Sequence, residues 1–221
     1  MLTSVKFCGL CRPVDAVAAA AAGAGFAGVI LSPVGPRAQM AGAAASIWAA
    51  AGAAVRVGVF VDEPVERVRA LATALGLGVV QLHGTEPQPW VEALRGGGWQ
   101  VWKAIRPRDA TDFLKDLAAW SGRVDGLLVD GGSAGTGGTG TRFPWEAVEA
   151  HRGRVPASMK LIVAGGLEPG NVGDVVRRLK PDVVDVSSGV EVERCVKSEA
   201  LMRRFVAEVR AADRRDGGGA D

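Results

Sequence analysis

The sequence predicts an α/β fold, a single (β/α)8 TIM barrel, on three observations. Eight short runs rich in β-branched residues recur along the 221-residue chain, and helical stretches separate them. Polar and Gly-rich positions gather at one end of those otherwise apolar runs. At roughly 28 residues per repeat, eight units fill the chain as a compact barrel. An open doubly wound sheet is the alternative, weakened because no G-x-G-x-x-G follows the first run. No composition break divides the chain. Residues 1–212 therefore read as one barrel domain, and 213–221 as a polar, Gly-rich, disordered tail.

The strand candidates are SVKFCG (4–9), GVILS (28–32), VRVGVFV (55–61), GVVQLHG (78–84), WQVWKAI (99–105), DGLLVDG (125–131), KLIVAGG (160–166) and VVDVSSG (183–189). Between the first two lies an Ala-rich, uncharged stretch that reads as a helix feeding a buried strand. It is not a signal peptide or membrane span: Ala and Gly contribute little transfer energy, Asp15 opens it and Ser-Pro interrupts its apolar end. The stretch 63–76 is the clearest helix. Val65, Val68, Leu71, Ala72 and Leu75 share one face, Pro64 suits the first turn and Gly76 the stop. Residues 168–181 repeat that design with Pro169 early, and 198–212 form a last amphipathic helix.

Composition bounds the function. Almost half the residues are apolar, enough for a sizeable core, and the net charge is only +2 with acids and bases mixed. That balance excludes an extended nucleic-acid surface. Three cysteines make no disulfide framework and suit a reducing cytoplasm.

Barrel chemistry sits at the C-terminal ends of strands and in the loops that follow. Three Gly-rich segments collect there: GTGGTGTRF (135–143), AGGLEPGN (164–171) and VSSGVE (186–191). Glycine lets backbone N–H groups approach an anion, and the loops after strands seven and eight are the usual phosphate site of this architecture. Ser187 and Ser188 add hydroxyl donors. Cys8 and Asp130 end strands one and six, where a thiolate and a carboxylic acid can serve as base and acid. Taken singly, Cys8 also fits a small buried hydrophobe and Asp130 a loop cap. Arg37 follows strand two; its planar fork suits a carboxylate, although alone the preferred reading is an ordinary solvated Arg at a helix start. His83 ends strand four as an acid, a base or, more simply, a structural histidine.

With these residues in place, the chain resembles the phosphoribosylanthranilate isomerase family of tryptophan biosynthesis. The resemblance runs nearly end to end through VKFCGL (5–10), GVILSPVGPR (28–37), VGVFVDEP (57–64), VVQLHGTE (79–86), LLVDGG (127–132), GGTGTRFPW (137–145), IVAGGLEPGNV (162–172) and VDVSSGVE (184–191). It implies a cytoplasmic (β/α)8 enzyme with no metal and no cofactor, acting on a small-molecule substrate by an Amadori rearrangement. Cys8 is then implied as general base, Asp130 as general acid and Arg37 as the holder of the anthranilate carboxylate. Gly138, Gly165, Gly166, Ser188 and Gly189 become the phosphate cradle, and Asp185 lies near the substrate. No nucleic acid or membrane is implied as a partner. A loose association with other tryptophan-pathway enzymes is compatible with it.

The chain departs from the family pattern at two places. Cys11 stands where Thr is common, and CVKS (195–198) stands where GxKD is usual, which leaves Ser198 at the last helix start. Cys8-x-x-Cys11 lacks the further ligands of a zinc site, so Cys8 reads as one working thiolate and Cys11 as an incidental neighbour. The spacing alone raises an oxidative Cys8–Cys11 disulfide. Two other functions stay open on residue grounds: the aminoaldose isomerase of histidine synthesis, which typically uses paired Asp, and a non-catalytic phosphosugar-binding barrel, which would need neither Cys8 nor Asp130.

Overall fold

The computed structural model describes residues 2–33, 35–131 and 145–216. Eight parallel strands form a closed barrel in chain order: β1 (Ser4–Phe7), β2 (Phe26–Ile30), β3 (Val55–Phe60), β4 (Val79–Leu82), β5 (Gln100–Ile105), β6 (Gly126–Asp130), β7 (Lys160–Ala164) and β8 (Val183–Val186). The last strand closes onto the first in the register Ser4↔Val183 through Phe7↔Val186. Helices α1 (Pro13–Ala22), α2 (Ala41–Ala49), α3 (Val65–Leu75), α4 (Gln88–Leu94), α5 (Ala110–Trp120), α6 (Trp145–His151), α7 (Val172–Leu179) and α8 (Glu199–Asp216) follow the strands in turn.

The period-2 alternation of each strand divides the core. Val5, Phe7, Val29, Val80, Leu127, Val163 and Val184 face the helices. Val57, Val79, Trp102, Leu128, Ile162 and Val183 fill the barrel interior. Trp102 occupies the interior against the edge of Phe26, with ring centroids 4.9 Å apart. A Cβ on Gly126 would lie 2.7 Å from both the Trp102 ring and Ile162 Cδ1, so that strand position has no room for a side chain. With the interior filled, the chemistry is confined to the mouth.

Several boundaries differ from the expectation. Strand β2 begins at Phe26, two residues before the expected 28, because Phe26 turns inward onto Trp102 and pairs with Val55. Strands β4, β7 and β8 end before the polar and Gly residues that trail the expected runs, and β6 ends on Asp130, before Gly131. Helix α3 runs over Val65–Leu75 with Pro64 as its N-cap and Gly76 left-handed at φ 59°. Helix α7 starts at Val172 rather than 168. Residues 168–171 instead form a turn in which Asn171 Oδ1 accepts from Glu168 N at 2.9 Å and Asn171 Nδ2 donates to Gly166 O at 2.8 Å.

Helix α8 continues to Asp216, past the expected end at 212. The reason is Asp213, whose carboxylate accepts from Thr3 N at 3.1 Å and Thr3 Oγ1 at 2.8 Å and so ties the last helix to the first strand. Ser198 starts that helix without an acid: its Oγ accepts from Leu201 N at 3.3 Å. A short antiparallel pair, β9 (Glu191–Glu193) and β10 (Val196–Lys197), lies between β8 and α8 and was not expected. Of the tail expected over 213–221, residues 213–216 belong to α8 and 217–221 lie outside the described residues. No described helix is long and apolar enough to cross a membrane.

Candidate active site

Eight of the predicted site residues stand at one mouth because each ends a parallel strand or lies in the loop behind it. Cys8 follows β1, Arg37 lies in the loop after β2, His83 follows β4, Asp130 ends β6, and Ser188 and Gly189 follow β8. Gly165 and Gly166 follow β7 in left-handed conformations, at φ 90° and 62°. Gly138 lies outside the described residues.

Cys8 is the free thiol and is partly accessible. Gly9, left-handed at φ 65°, turns the chain immediately beyond it, and a Cβ there would lie 2.6 Å from Arg37 Cδ. Glycine thus lets the Arg37 stem cross directly over the first loop. Arg37 is not solvated as an isolated reading suggests. Its Nε and Nη2 donate to Glu191 Oε1 and Oε2 at 2.8 and 2.6 Å, a bidentate pair. Lys197 Nζ donates to Glu191 Oε1 at 2.8 Å and to the Ser187 carbonyl at 3.0 Å. Burial opposes the Glu191 charge, but these donors outweigh it and hold its carboxyl down at about 2. Burial pushes the Lys197 ammonium down, with Glu191 opposing.

Burial pushes the Cys8 thiol up, and the ammonium of Lys6 is the first influence acting the other way. Lys6 is fully buried and donates to Asp185 Oδ2 at 2.7 Å. The other oxygen of that carboxylate, Oδ1, is buried with no hydrogen-bond partner among the described residues. Asp185 therefore offers an unspent acceptor near the mouth.

Across the barrel, Gln81 Nε2 lies 3.0 Å from His83 Nδ1, and His83 Nε2 lies 3.2 Å from Asp130 Oδ2. With the Gln81 amide donating to Nδ1, the proton of a neutral ring sits on Nε2 and is given to Asp130. His83 thus lies against Asp130 at the mouth rather than within the core. Arg106 Nε adds a longer contact to the same oxygen at 3.4 Å.

The phosphate-type loops after β7 and β8 meet backbone to backbone. A Cβ on Gly189 would overlap the Leu167 carbonyl oxygen and lie 2.9 Å from its carbon. The close approach sets Ser188-Gly189 against the segment that follows Gly165 and Gly166.

Cys11 is not an incidental neighbour, and it does not pair with Cys8. It is disulfide-bonded to Cys195 in the β9–β10 connection, with Cα atoms 5.4 Å apart and 184 residues between them in sequence. The Gly9 turn separates the two cysteines of the C-x-x-C stretch, and closure of β8 onto β1 brings Cys195 over Cys11 instead. Among the described residues, no group of three or more His, Cys, Asp or Glu side chains could hold a metal ion.

The sequence did not point to Lys6, Glu191, Lys197 or Arg106 as site residues. Lys6 carried a legible signal: a lysine two positions before Cys8 shares its inward-facing side of the strand. Glu191 and Lys197 gave none, because the hairpin that brings them together was not itself legible.

Comparison with known proteins gives a consistent result. A family model described as N-(5'-phosphoribosyl)anthranilate (PRA) isomerase matches residues 5–208. An N-(5'-phosphoribosyl)anthranilate isomerase of Rubrobacter xylanophilus is 39% identical over 212 residues, covering 95% of this chain and 100% of its own length. One from Symbiobacterium thermophilum is 40% identical over 224 residues, covering 95% and 99%. The crystal structure of phosphoribosyl anthranilate isomerase from Thermotoga maritima superposes with a TM-score of 0.85 at 29% identity, over 95% of this chain and all of that one. A phosphoribosyl anthranilate isomerase crystallised with reduced 1-(o-carboxyphenylamino)-1-deoxyribulose 5-phosphate gives 0.82 at 28% identity, over the same shares.

Proposed function

The chain belongs to the phosphoribosylanthranilate isomerase family, and from that premise we propose how its residues carry out an Amadori rearrangement. The activity is aldose–ketose isomerisation of N-(5'-phosphoribosyl)anthranilate in tryptophan biosynthesis. In our reading Asp130 protonates the ribose ring oxygen. The C1–O bond breaks and C1 becomes an iminium carbon. Cys8, as thiolate, removes the proton from C2, and the electron pair moves to neutralise the iminium nitrogen. The enolamine then tautomerises, with a proton moving from the C2 hydroxyl to C1, to give 1-(2-carboxyphenylamino)-1-deoxyribulose 5-phosphate. The iminium acidifies C2, so a base as modest as a thiolate suffices. No metal, cofactor or change of redox state enters these steps.

Positioning comes from the two ends of the substrate. Arg37 spends its Nε–Nη2 side on Glu191, which leaves the Nη1–Nη2 edge for the anthranilate carboxylate. Backbone N–H groups at Gly165, Gly166 and Gly189, with Ser188, receive the phosphate; Gly138 joins them on the family pattern. The unspent Asp185 oxygen accepts from a ribose hydroxyl. Anchored at both ends, C1 and C2 lie between Cys8 and Asp130. The family resemblance carries with it a cytoplasmic setting and loose association with other enzymes of the pathway.

The observation that carries this reading is the placement of a partly accessible Cys8 beneath Arg37 at the same mouth as the His83-oriented Asp130. Its test is the loss of phosphoribosylanthranilate fluorescence on adding purified protein. Cys8→Ala and Asp130→Asn should each lower kcat by roughly 100- to 10,000-fold, the range of a positioned acid or base. Undiminished turnover in either folded variant removes that residue from the mechanism. Well-folded wild type without turnover redirects the reading to the aminoaldose of histidine synthesis.

A further inference from the structure

Lys6 is the one charged residue buried entirely, backbone and side chain, among the described residues, and the steps above do not use it. A lysine wholly out of water needs a reason, because an ammonium loses more on burial than one ion pair ordinarily returns. Four features of its surroundings supply one.

The first is placement. Val5 and Phe7 of β1 face the helices, so Lys6 and Cys8 project to the barrel side two residues apart. The second is anchoring. Lys6 and Asp185 are register partners on β1 and β8, and one of the three ammonium donors goes to Asp185 Oδ2 at 2.7 Å. The third is clearance. Gly28 on β2 has no side chain, and a Cβ there would lie 3.1 Å from Lys6 Nζ and 3.2 Å from Cys8 Cα. The ammonium therefore fills the space next to Cys8 that Gly28 leaves open.

The fourth is charge. The groups facing Cys8 are Lys6 from β1, Asp185 from β8, Lys197 from the hairpin and Arg37 from the loop after β2, with Glu191 holding the last two. Three cations stand against two carboxylates. One negative charge completes the set, and ionisation of Cys8 is what provides it.

We propose that Lys6 is the positioning residue that makes Cys8 a base: anchored on Asp185, its ammonium stabilises the thiolate form of Cys8 at the barrel mouth. The inference rests on the reading of Cys8 as the base. Lys6 touches no substrate atom; it acts through Cys8. Without it, burial and the Asp185 carboxylate both favour the neutral thiol, which cannot take the C2 proton.

The test reads the thiolate directly. In a Cys11→Ser/Cys195→Ser background Cys8 is the sole thiol, and its rate of alkylation by iodoacetamide is followed from pH 6 to 10. Lys6→Gln keeps a donor toward Asp185 and removes the charge; Lys6→Met removes both; Lys6→Arg keeps the charge. Folding of each is checked by thermal melting. Lys6→Gln and Lys6→Met should alkylate at least tenfold more slowly near neutral pH, with the midpoint moved up by a unit or more. Lys6→Arg should stay near the parent. In turnover, kcat should fall with KM little changed, and the acidic limb of the kcat profile should move with the alkylation midpoint.

Superimposable alkylation profiles in parent and folded Lys6→Gln would overturn the proposal and leave Lys6 as a strand-to-strand ion pair. A parent that alkylates normally but does not turn over the substrate would instead overturn the assignment of Cys8 as base. The two failures are therefore separable.

Discussion

Arg37 reaches its place through Glu191, and Glu191 through Lys197. A long arginine side chain left to itself would sample many rotamers; the bidentate pair fixes the plane of its fork before a carboxylate arrives. Glu191→Gln removes the charge that holds both cations, so KM should rise about tenfold while kcat stays within about twofold; steady-state kinetics on the folded variant checks this, and an unchanged KM rejects the positioning role. The carboxyl is held down at about 2 in the folded protein, well below its ordinary 4.5. A depressed folded value stabilises the protein above the unfolded value, and that contribution is lost as pH falls through the folded one. Glu191 therefore contributes no titration to KM from pH 5 upward and should weaken the fold only in strong acid. Cys8 and Asp130 were legible as candidates because each lies where a parallel strand ends or just beyond; Arg37 became one only through the family resemblance. Glu191 was not, because charge on a hairpin reads as solvated surface until the partner across the seam is known; Lys6 was legible only as a lysine on the same strand face as Cys8.

Elements β7, β8 and their loops show what the sequence could and could not convey about the cradle. The Gly-rich character of 164–166 and 187–189 was visible, and so was their convergence once eight strands were counted. Which glycine permits the contact was not, since that depends on Leu167 folding back over Gly189. The hairpin of β9 and β10 was missed for a related reason. Its strands, of three and two residues, are too short to show alternation, and Cys195 at φ 65° makes a turn without the usual glycine. Gly189→Ala places a methyl group into the Leu167 carbonyl, a backbone atom that cannot rotate away. The substitution should cost about 1–3 kcal/mol of stability, as overpacking typically does, and raise KM at least tenfold through the displaced cradle. Urea unfolding and kinetics read the two effects. Gly153→Ala, where a Cβ meets nothing within 4 Å, should change neither; loss of stability in both variants would point to glycine content rather than this contact.

At the scale of the whole molecule, a barrel closes by pairing its first and last strands, a contact that pays its loop-closure entropy late and gains nothing from local sequence. This chain fastens that seam at both ends. Away from the mouth, Thr3 is held by Asp213 of α8 and by Arg210, which donates to the Thr3 carbonyl at 2.6 Å. At the mouth, Cys11 and Cys195 bridge the loops after β1 and β8 across 184 residues. Both cysteines stand where the family resemblance leads one to expect other residues, and they face each other, which accounts for two departures by one contact. A cross-link over so long a loop restricts the unfolded chain strongly, and a contribution of about 2–4 kcal/mol is typical. For a domain of this size that corresponds to a melting temperature about 5–15 °C lower after reduction. Non-reduced protein unfolded in denaturant should titrate one thiol, Cys8, and reduced protein three. Cys11→Ser should melt at the reduced temperature whether or not a thiol reductant is present. Three thiols in the non-reduced protein would mean that the bridge does not form, and the seam would then rest on strand pairing and Asp213 alone. A single thiol with no change in melting on reduction would mean that the loops at the mouth unfold before the barrel does, so that the bridge constrains the site without stabilising the fold.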